Sequence, residues 1–406
     1  MKLLEYQAKE LLQKYGLRVQ KGVVLNGAPD SAGETAGCAA ATAAGDANIA
    51  AGDAARELVA AAGLRYPLVI KAQVPAGGRG KAGGVRFAEN PRELAEAAGS
   101  MLFSDIKGYK ASKLLLAEKA EFDAEWYLSV LLDRDARSPR AIFSAKGGVD
   151  VEETAAANPS AVASLPINPL IGVTDYAVRY LCSASGASPG CFEALKDVLG
   201  RLYRLFMDYS CLVVEINPLG VERGGGLLAA DAKIEIDDAA LYRLPDAAAY
   251  GDGACENPLI AEARAFGFTY VPLDKNGRIA ALSNGSGMLM SMIDLLHENG
   301  AEAACALDLG GGAQRGRIAE AVRIAMSAPG VDTLFISIFG GITRCDEVAG
   351  GIKDAFDGPA AGKAAIVRME GTNRDAGVKI VSAIPGAILV DGLLDGVKAA
   401  AGRRAL

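Results

Sequence analysis

The sequence predicts a protein of two α/β domains, the first an α+β half with a largely antiparallel sheet and the second a doubly wound half with a parallel sheet. Three observations support this fold class. The chain has 406 residues, more than one hydrophobic core usually organises. Glycine or charged turns separate the apolar runs of the first half, whereas in the second half short strands alternate with helices. A stretch at 244–258, punctuated by Gly and Pro, predicts a linker, so we expect domains at 1–250 and 258–406.

The first domain is expected to begin with a helix over 3–15, because apolar residues recur there at helical spacing and Gly16 follows as a stop. Residues 27–55 are rich in Ala, Gly, Ser and Asp, which predicts a mobile surface insertion without chemistry. The antiparallel sheet is predicted from apolar runs at 66–72, 113–117, 126–132 and 141–143. Later patterns predict helices near 173–184 and 192–208 and a strand pair at 211–216 and 226–234.

The second domain is predicted to contain a series of strands separated by helices, at 279–283, 303–309, 332–338, 364–369 and 387–390. In doubly wound sheets, ligands bind where strand ends lead through glycine-rich turns into helix N-termini, since backbone N–H groups point outwards there. Three turns have this character, at 283–287, 308–312 and 339–343. We therefore expect a binding site at the carboxyl edge of this sheet.

The composition excludes several functional classes. A formal net charge of -7 argues against sequence-independent binding of nucleic acid, which needs a basic face to neutralise phosphates. No apolar run reaches the roughly 18 residues of a membrane span, and the N-terminus has no signal-peptide pattern. Seven cysteines without a Cys-x-x-Cys pair are typical of reduced thiols in the cytoplasm. The one histidine, His297, leaves little room for a histidine relay or a histidine-rich metal site.

The densest chemical signal is a strand-end lysine followed by a cationic, glycine-rich loop, over 71–84. A nucleoside triphosphate requires such a loop, because backbone N–H groups hold its oxygens and cations offset their charge. The loop lacks the Gly-Lys-Ser/Thr ending of a P-loop and the strand-to-helix setting of a dinucleotide fingerprint. The alternative interpretation is a solvated loop with incidental charge.

Oxygen ligands for a metal ion occur at the predicted strand pair. Glu215 and Asn217 lie two residues apart and so share one face of their strand, and Asp231 follows on the partner strand. Mg²⁺ is held by a few such oxygens, while phosphates and waters complete its coordination. The alternative is a hairpin whose polar residues face solvent, and the presence of the phosphate loop favours the magnesium site.

Four sequence runs resemble the beta subunit of succinyl-CoA synthetase and occur in the order of that family: 5–9, 71–84, 215–218 and 338–346. The resemblance spans nearly the whole chain. It implies an N-terminal ATP-grasp domain followed by a flavodoxin-like, doubly wound CoA-ligase domain. It also implies a reversible reaction in which acyl-CoA, phosphate and nucleoside diphosphate give carboxylate, CoA and nucleoside triphosphate, through an acyl phosphate and a phosphohistidine.

The resemblance also implies residue roles, position by position. Nucleotide phosphates would contact Lys71, Gly78, Arg79 and Gly80, and the base and ribose would contact Glu118, Glu125 and Gln20. Magnesium would be held by Asn217 and Asp231. The carboxylate substrate would contact Asn284, Gly341, Ile342 and Thr343. No catalytic residue is expected in this chain. His297 ends a predicted helix, where the dipole favours a cation without a catalytic reason. The phosphorylated histidine is therefore expected on an alpha subunit, which also binds CoA, in a heterodimer or heterotetramer.

Departures from the family pattern leave alternatives open. Pro75 stands in the phosphate loop where many members carry histidine. Gln20 lies where members differ in base preference, and its amide could donate to a guanine oxygen, so GTP stands beside ATP as the nucleotide. Nothing in the turn around Thr343 indicates the chain length or hydroxylation of the acid, so malate or another short carboxylate remains an alternative to succinate. A regulatory module without turnover is a third hypothesis, but it predicts loss of the strand-end lysine or the metal ligands, and all of these are present.

Overall fold

A computed structural model describes residues 1–27, 40–75, 77–149, 151–187, 189–251 and 257–403 of the chain. The chain divides into two compact units, Met1–Cys255 and Glu256–Leu406. Helices and strands are mixed in both units, which confirms the predicted fold class. Among the described residues, no helix is both long enough and apolar enough to cross a membrane.

Unit 1 contains two large antiparallel sheets and the helices that cover them. In chain order its elements are α1 (Glu5–Lys14), β1 (Gly22–Asn26), α2 (Ala40–Ala61), β2 (Leu68–Ala72), β3 (Val85–Ala88), α3 (Pro91–Met101), β4 (Asp105–Ile106), β5 (Tyr109–Lys110), β6 (Lys113–Glu118), β7 (Ala124–Asp133), β8 (Ser138–Ser144), α4 (Val151–Ala157), β9 (Val162–Pro166), α5 (Asp175–Ala184), α6 (Phe192–Asp208), β10 (Cys211–Val221), β11 (Leu227–Ala229), β12 (Ala232–Ile236) and α7 (Pro245–Gly251).

The first sheet has the strand order β1-β6-β2-β3, and α2 and α3 cover one of its faces. The second has the order β11-β10-β7-β8-β9, with β12 also paired to β10, and it packs against α1, α5 and α6. All of these pairings are antiparallel, as predicted. The expectation of one sheet is wrong, because Leu128 and Phe143 join a different core from Leu68 and Leu114. Local patterns identify strands, whereas pairing depends on contacts between residues distant in sequence.

Helix α2 corrects the interpretation of 27–55 as a mobile surface insertion. Residues 28–39 lie outside the described residues, but from Ala40 the tract is the first part of this helix. Ala55 is fully buried in the core of the first sheet. Gly52 lies so close to Ala95 of α3 that an added Cβ would be 2.9 Å from the alanine methyl carbon. The small residues that suggested an insertion therefore allow two helices to pack closely.

Unit 2 is a single sheet with helices on both faces. Its elements are α8 (Pro258–Ala265), β13 (Thr269–Pro272), β14 (Ile279–Ser283), α9 (Ser286–Glu298), β15 (Ala303–Asp308), α10 (Arg315–Met326), β16 (Thr333–Gly340), α11 (Cys345–Phe356), β17 (Ala364–Gly371), α12 (Arg374–Ser382), β18 (Ala387–Leu389) and α13 (Leu393–Ala401). Helices α9 and α13 share one core with the sheet, and α8, α10, α11 and α12 share the other.

The strand order in unit 2 is β13-β15-β14-β16-β17-β18, and every pair except the antiparallel β13–β15 pair is parallel. The five parallel strands therefore follow the 2-1-3-4-5 order of a flavodoxin-like sheet. Strand β15 lies on one side of β14 and β16 on the other, so the order of the strands across the sheet reverses between β14 and β16. Ligands bind at such a switch point, outside the carboxyl ends of the strands. The three predicted glycine-rich turns follow β14, β15 and β16 and so lie at this edge.

Candidate functional site

Five charged side chains meet in unit 1: Glu5 and Lys9 of α1, Lys71 of β2, Arg79 of the glycine-rich loop, and Asp231 between β11 and β12. Glu5 Oε1 accepts hydrogen bonds from Lys9 Nζ at 2.7 Å and Lys71 Nζ at 2.9 Å. Glu5 Oε2 accepts from the Arg79 guanidinium. Arg79 Nη2 also donates to both carboxylate oxygens of Asp231, at 3.2 Å each. The cluster thus combines three cations with two carboxylates.

Local structure explains why these side chains converge. Glu5 and Lys9 are four residues apart and share one face of α1. Lys71 alternates with Ile70 and Ala72, which face the core, so its side chain leaves the opposite face of the sheet. Backbone carbonyls add anchors, because Lys71 Nζ donates to the carbonyl of Ala230 at 2.8 Å and Arg79 Nη1 donates to that of Ala72 at 3.0 Å.

Burial and mutual charge decide the protonation of the cluster. Burial alone would raise the pKa of Glu5, but Lys9, Arg79 and Lys71 hold that pKa well below its usual range. Burial lowers the pKa of Lys9 to about 8, although Glu5 opposes this shift. Its packed surroundings, and then the charge of Glu5, raise the pKa of Asp231. With every group ionised, the three cations exceed the two carboxylates by one positive charge, which suits a polyanion.

Backbone geometry leaves the loop of 77–84 open to a ligand. Gly78 has φ of +65°, a left-handed conformation that favours glycine. Gly80 is exposed, and an added Cβ there would meet no atom closer than 3.9 Å. The loop is closed at its base because Gly84 N donates to the carbonyl of Arg79 at 2.8 Å. Of its two cations, Arg79 is buried in the cluster, whereas Lys81 extends outwards to Glu153.

A second group forms around the backbone of Gly148. Asn217 Oδ1 accepts a hydrogen bond from Gly148 N at 2.8 Å, and its Nδ2 donates to the carbonyl of Val149 at 3.0 Å. The Glu125 carboxylate lies against the same glycine, where an added Cβ would be 2.0 Å from Oε2. The structure therefore brings together Asn217 and Glu125, which the sequence assigned to the metal and to the base or ribose.

Asn217 and Asp231 carry an amide and a carboxylate oxygen, the kinds of ligand that magnesium prefers. Magnesium is usually held by one or two protein oxygens, with phosphates and waters in the remaining positions. Among the described residues there is no group of three or more His, Cys, Asp or Glu side chains able to hold a metal, so an all-protein cage is not present there. The Asp231 side chain is 37% exposed, more than Lys71 or Arg79, and is the more accessible of the two carboxylates in the cluster.

Gln20 and Glu118 are joined in a way that the sequence did not predict. Gln20 Nε2 donates to the backbone carbonyl of Glu118 at 2.7 Å, and its Oε1 accepts from Lys9 Nζ at 3.3 Å. The Glu118 carboxylate accepts from Arg65 N at 3.0 Å and lies 3.8 Å from Lys21 Nζ. Gln20 is thus connected to the charged cluster, whereas the carboxylate of Glu118 is directed to a different set of partners.

In unit 2, hydrogen bonds connect the turns at the carboxyl edge. Asn284 Nδ2 donates to the carbonyl of Phe339 at 3.0 Å, and Phe339 N donates to Asn284 Oδ1 at 3.1 Å. Thr343, which is 2% exposed, accepts from Gly312 N through Oγ1 at 3.0 Å. The Gly341 carbonyl accepts a hydrogen bond from the hydroxyl of Thr372 at 3.1 Å. Three of the four predicted substrate contacts are therefore held in one connected arrangement.

Ile342 differs from the other predicted contacts because its side chain is 86% exposed. It lies beside a shallow pocket of about 420 Å³, which is lined by Gly312, Ala313, Gln314, Arg315, Gly316, Ile342, Arg344 and Glu347. Helix α11 begins directly after this turn, at Cys345. The pocket thus adjoins a helix N-terminus, where backbone N–H groups favour an anion.

Comparison with known proteins assigns both units. Residues 42–221 match the ATP-grasp domain family, and residues 282–393 match the CoA-ligase family. The ADP-forming succinate–CoA ligase subunit beta of Chloroflexus aurantiacus is 39% identical over 406 residues, which cover 99% of this chain and 100% of that protein. The chain belongs to the succinate–CoA ligase beta-subunit family. The GDP-forming relative of Thermus thermophilus is 38% identical over 385 residues, 95% of this chain and 94% of that protein.

A solved structure agrees with the fold of this succinate–CoA ligase beta-subunit family member. ATP citrate lyase from Methanothrix soehngenii, in complex with citrate and coenzyme A, has a TM-score of 0.71 and covers 99% of both chains. Because its sequence identity is 18%, the likeness concerns the fold alone. The predicted order, an ATP-grasp domain and then a CoA-ligase domain, is confirmed by the matches to the two families.

Sequence reasoning missed Glu5 and Lys9 as members of the charged cluster in this beta-subunit family member. Both are buried on α1 between apolar positions such as Leu4 and Ala8. Charged residues rarely occupy buried positions without partners, so their place within an apolar helical pattern was the available signal. His297, in contrast, is 73% exposed at the end of α9 with Nδ1 2.7 Å from Glu302 Oε1, consistent with a structural role.

Proposed function

We propose that this chain is the nucleotide-binding beta subunit of a succinate–CoA ligase and that it works with an alpha subunit. The observation that carries the proposal is the 39% identity to a named beta subunit along the whole of both chains. The enzyme interconverts succinyl-CoA, phosphate and nucleoside diphosphate with succinate, CoA and nucleoside triphosphate. A cytoplasmic location is part of the proposal and is supported by the free cysteines among the described residues.

Nucleotide phosphates bind over the charged cluster and the glycine-rich loop. Lys71 and Arg79 supply positive charge, while the backbone of Gly78 and Gly80 supplies N–H groups without side chains in the way. The surplus positive charge of the cluster supports this assignment. Phosphoryl transfer needs positioning and charge stabilisation more than covalent chemistry from the protein, and these groups provide both.

The base and ribose lie towards Gln20 and Glu125 in this proposal. The position of Gln20 supports a role in base selection. Its amide accepts a hydrogen bond from Lys9 of the charged cluster, so it lies next to the groups that are proposed to hold the phosphates. Glu118 contributes its backbone carbonyl to Gln20 and not its carboxylate, which pairs with Arg65 and Lys21. The nucleotide is ATP or GTP, since relatives of both ADP-forming and GDP-forming types match this chain.

Magnesium would be held by Asn217 and Asp231. When bound, the ion neutralises negative charge on the phosphates and orients them. The chain's own contribution is to fix the two ligands: Gly148 and Val149 orient the Asn217 amide, and Arg79 orients the Asp231 carboxylate. Arg79 thereby connects the proposed metal ligand with the phosphate-binding loop.

Succinate, or its acyl phosphate, would bind at the carboxyl edge of unit 2. Asn284, Gly341, Ile342 and Thr343 would contact it, and the N-terminus of α11 favours its negative charge. The alpha subunit would supply CoA and the phosphohistidine, because His297 of this chain is exposed and paired with Glu302. Relatives named for succinate do not favour malate as the acid.

A coupled turnover assay of the co-purified alpha and beta chains tests the proposal. The assay would compare ATP with GTP and succinate with malate, in the presence of Mg²⁺ and CoA. We expect succinyl-CoA formation with one nucleotide preferred and with phosphate transiently on an alpha-subunit histidine. An Asp231→Asn chain is expected to lose turnover, whereas an Asp274→Asn chain, changed in the half-buried turn after β13 of unit 2, retains it. Absence of both acyl-CoA and phosphohistidine would contradict the proposal.

A further inference from the structure

Glu5 is the common partner of the cations in the charged cluster. Lys9, Lys71 and Arg79 each pair with its carboxylate, and among the described residues Arg79 alone of the three also pairs with Asp231. The Glu5 side chain is 2% exposed, so solvent does little to stabilise its charge. The orientation of the three cations therefore depends on one buried carboxylate of helix α1.

The cations retain donors beyond those that Glu5 uses. A lysine ammonium has three N–H donors, and Lys71 directs two of them to Glu5 and to the carbonyl of Ala230. An arginine guanidinium has five, and Arg79 directs three of them to Glu5, Asp231 and the carbonyl of Ala72. One donor of Lys71 and two of Arg79 thus remain for a ligand after the cluster has formed.

We propose that Glu5 is a positioning residue for nucleotide phosphates: it fixes Lys71 and Arg79 so that their remaining donors are preorganised for phosphate oxygens. This inference rests on the nucleotide site proposed above. Glu5 does not itself touch the nucleotide, because its two oxygens are already bonded to cations. Its contribution is to reduce the reorganisation that binding a polyphosphate would otherwise require.

The alternative is that Glu5 acts only in folding. Buried ion pairs often contribute little net stability compared with apolar residues of the same volume. A carboxylate that accepts from three cations, however, controls where each cation lies. Replacing it with an amide leaves one oxygen to accept and introduces an NH₂ group among three cations, so the cations must separate.

Glu5→Gln tests the proposal in the full chain co-purified with its alpha subunit. Isothermal titration with Mg²⁺ and either ADP or GDP gives the nucleotide Kd, and steady-state kinetics gives KM for succinate. We expect the Kd to rise by about thirtyfold or more, thirtyfold being the lower end of the effect of disrupting a buried charge pair, with KM for succinate unchanged. Glu10→Gln, an exposed position on the same helix, is the matched control and is expected to bind nucleotide like the unmodified complex.

A purely structural role would lower the melting temperature and weaken both substrates together, and that result overturns the proposal. An unchanged Kd in Glu5→Gln also overturns it. If Glu5→Gln fails to fold, Glu5→Asp decides, because it keeps the charge but withdraws it by one methylene. A Kd raised by about threefold or more with normal KM for succinate then supports positioning, and an unchanged Kd contradicts it. An unmodified complex that neither binds nucleotide nor turns over contradicts the proposed function instead.

Discussion

The two candidate sites are built in opposite ways. In unit 1, the site consists of charged side chains that are far apart in sequence, from Glu5 of the first helix to Asp231 after β11. In unit 2, it consists of turns at neighbouring strand ends, held by the amide of Asn284 and the hydroxyl of Thr343. The first site is defined by paired charges in a buried setting, the second mostly by main-chain geometry.

This difference is what the proposed ligands and the two folds require. A polyphosphate needs several cations, and buried cations must be paired before the ligand arrives, which draws in carboxylates such as Glu5. A doubly wound sheet already presents N–H groups at helix N-termini, so a small carboxylate needs few additional charges. Substitutions in unit 1 should therefore act through charge, and those in unit 2 through hydrogen bonds that hold the main chain.

Of the four substitutions that test this comparison, Arg79→Met is expected to have the largest effect. This change removes a cation proposed to bind phosphate and leaves Asp231 without its guanidinium partner, so kcat/KM for the nucleotide should fall by about 10²–10³-fold. The measurement is the coupled assay with nucleotide as the varied substrate. Arg86→Met on β3, whose guanidinium donates to a serine hydroxyl, is the control and should retain activity. Equal losses in both variants would contradict a specific role for the buried charge.

Asn284→Ala should have the next largest effect and should act in unit 2 alone. It removes two hydrogen bonds to Phe339, so kcat/KM for succinate should fall by about thirtyfold while the nucleotide Kd stays constant. Kinetics and titration calorimetry on one preparation separate these quantities. Asn299→Ala, at the C-terminus of α9, removes one amide-to-carbonyl bond away from the turns and should not change either constant. A weakened nucleotide Kd in Asn284→Ala would undermine the contrast between the sites.

Thr343→Val should reduce kcat/KM for succinate by about fivefold, the effect of one lost hydrogen bond. The substitution keeps the shape of the side chain but removes the acceptor for Gly312 N. Thr333→Val is a matched control, because Thr333 is equally buried at the start of β16, the strand that leads into this turn. If the control loses as much activity as Thr343→Val, the effect arises from packing and not from the turn.

The smallest effect concerns the pH dependence of unfolding. Burial lowers the pKa of Lys9 to about 8 from an ordinary value of 10.5, beside Glu5, Lys71, Asp231 and Gln20. Between these values the unfolded chain binds a proton that the folded chain has lost, so the contribution of Lys9 to the free energy of unfolding rises with pH. Urea unfolding at pH 7.5 and at pH 10 measures this effect. From the lower to the higher pH, the free energy of unfolding of the unmodified chain should rise relative to that of Lys9→Met.

The control for this pH effect is Lys14→Met on the same helix. A hydrogen bond to Tyr250 raises the pKa of Lys14, so its contribution should stay constant over this interval and decline only at higher pH. Comparing differences between variants cancels the other groups that titrate in the same interval, such as buried thiols. If the free energy of unfolding of the unmodified chain instead falls relative to that of Lys9→Met as pH rises, burial does not destabilise the protonated form of Lys9.

Local sequence signals predicted unit 2 better than unit 1. Strand β14 has the predicted bounds of 279–283, because a short apolar run between Gly-containing turns has one consistent interpretation. The glycine-rich loop of unit 1 could also be identified from the local sequence. The division of unit 1 into two sheets was not, since β2 and β7 look alike in sequence and differ only in which distant strands they meet.

The same distinction explains what was missed in the sites. Helical periodicity counts apolar positions, so Glu5 and Lys9 entered the pattern as polar residues of α1 although both are buried. The close packing of α2 on α3 was missed because alanine and glycine carry little hydrophobic signal. In both cases the deciding partner lies elsewhere in the chain, and no local window contains it.

The amide of Asn284 extends the pairing of two strands beyond the point where β14 ends. By accepting from Phe339 N and donating to the Phe339 carbonyl, it takes the place of a backbone residue beside β16. One short side chain therefore holds the ends of β14 and β16 together at the switch point. If the acid binds at this edge as proposed, acids of different length would differ in how far they reach along the turns, and the separation of the strand ends would stay the same.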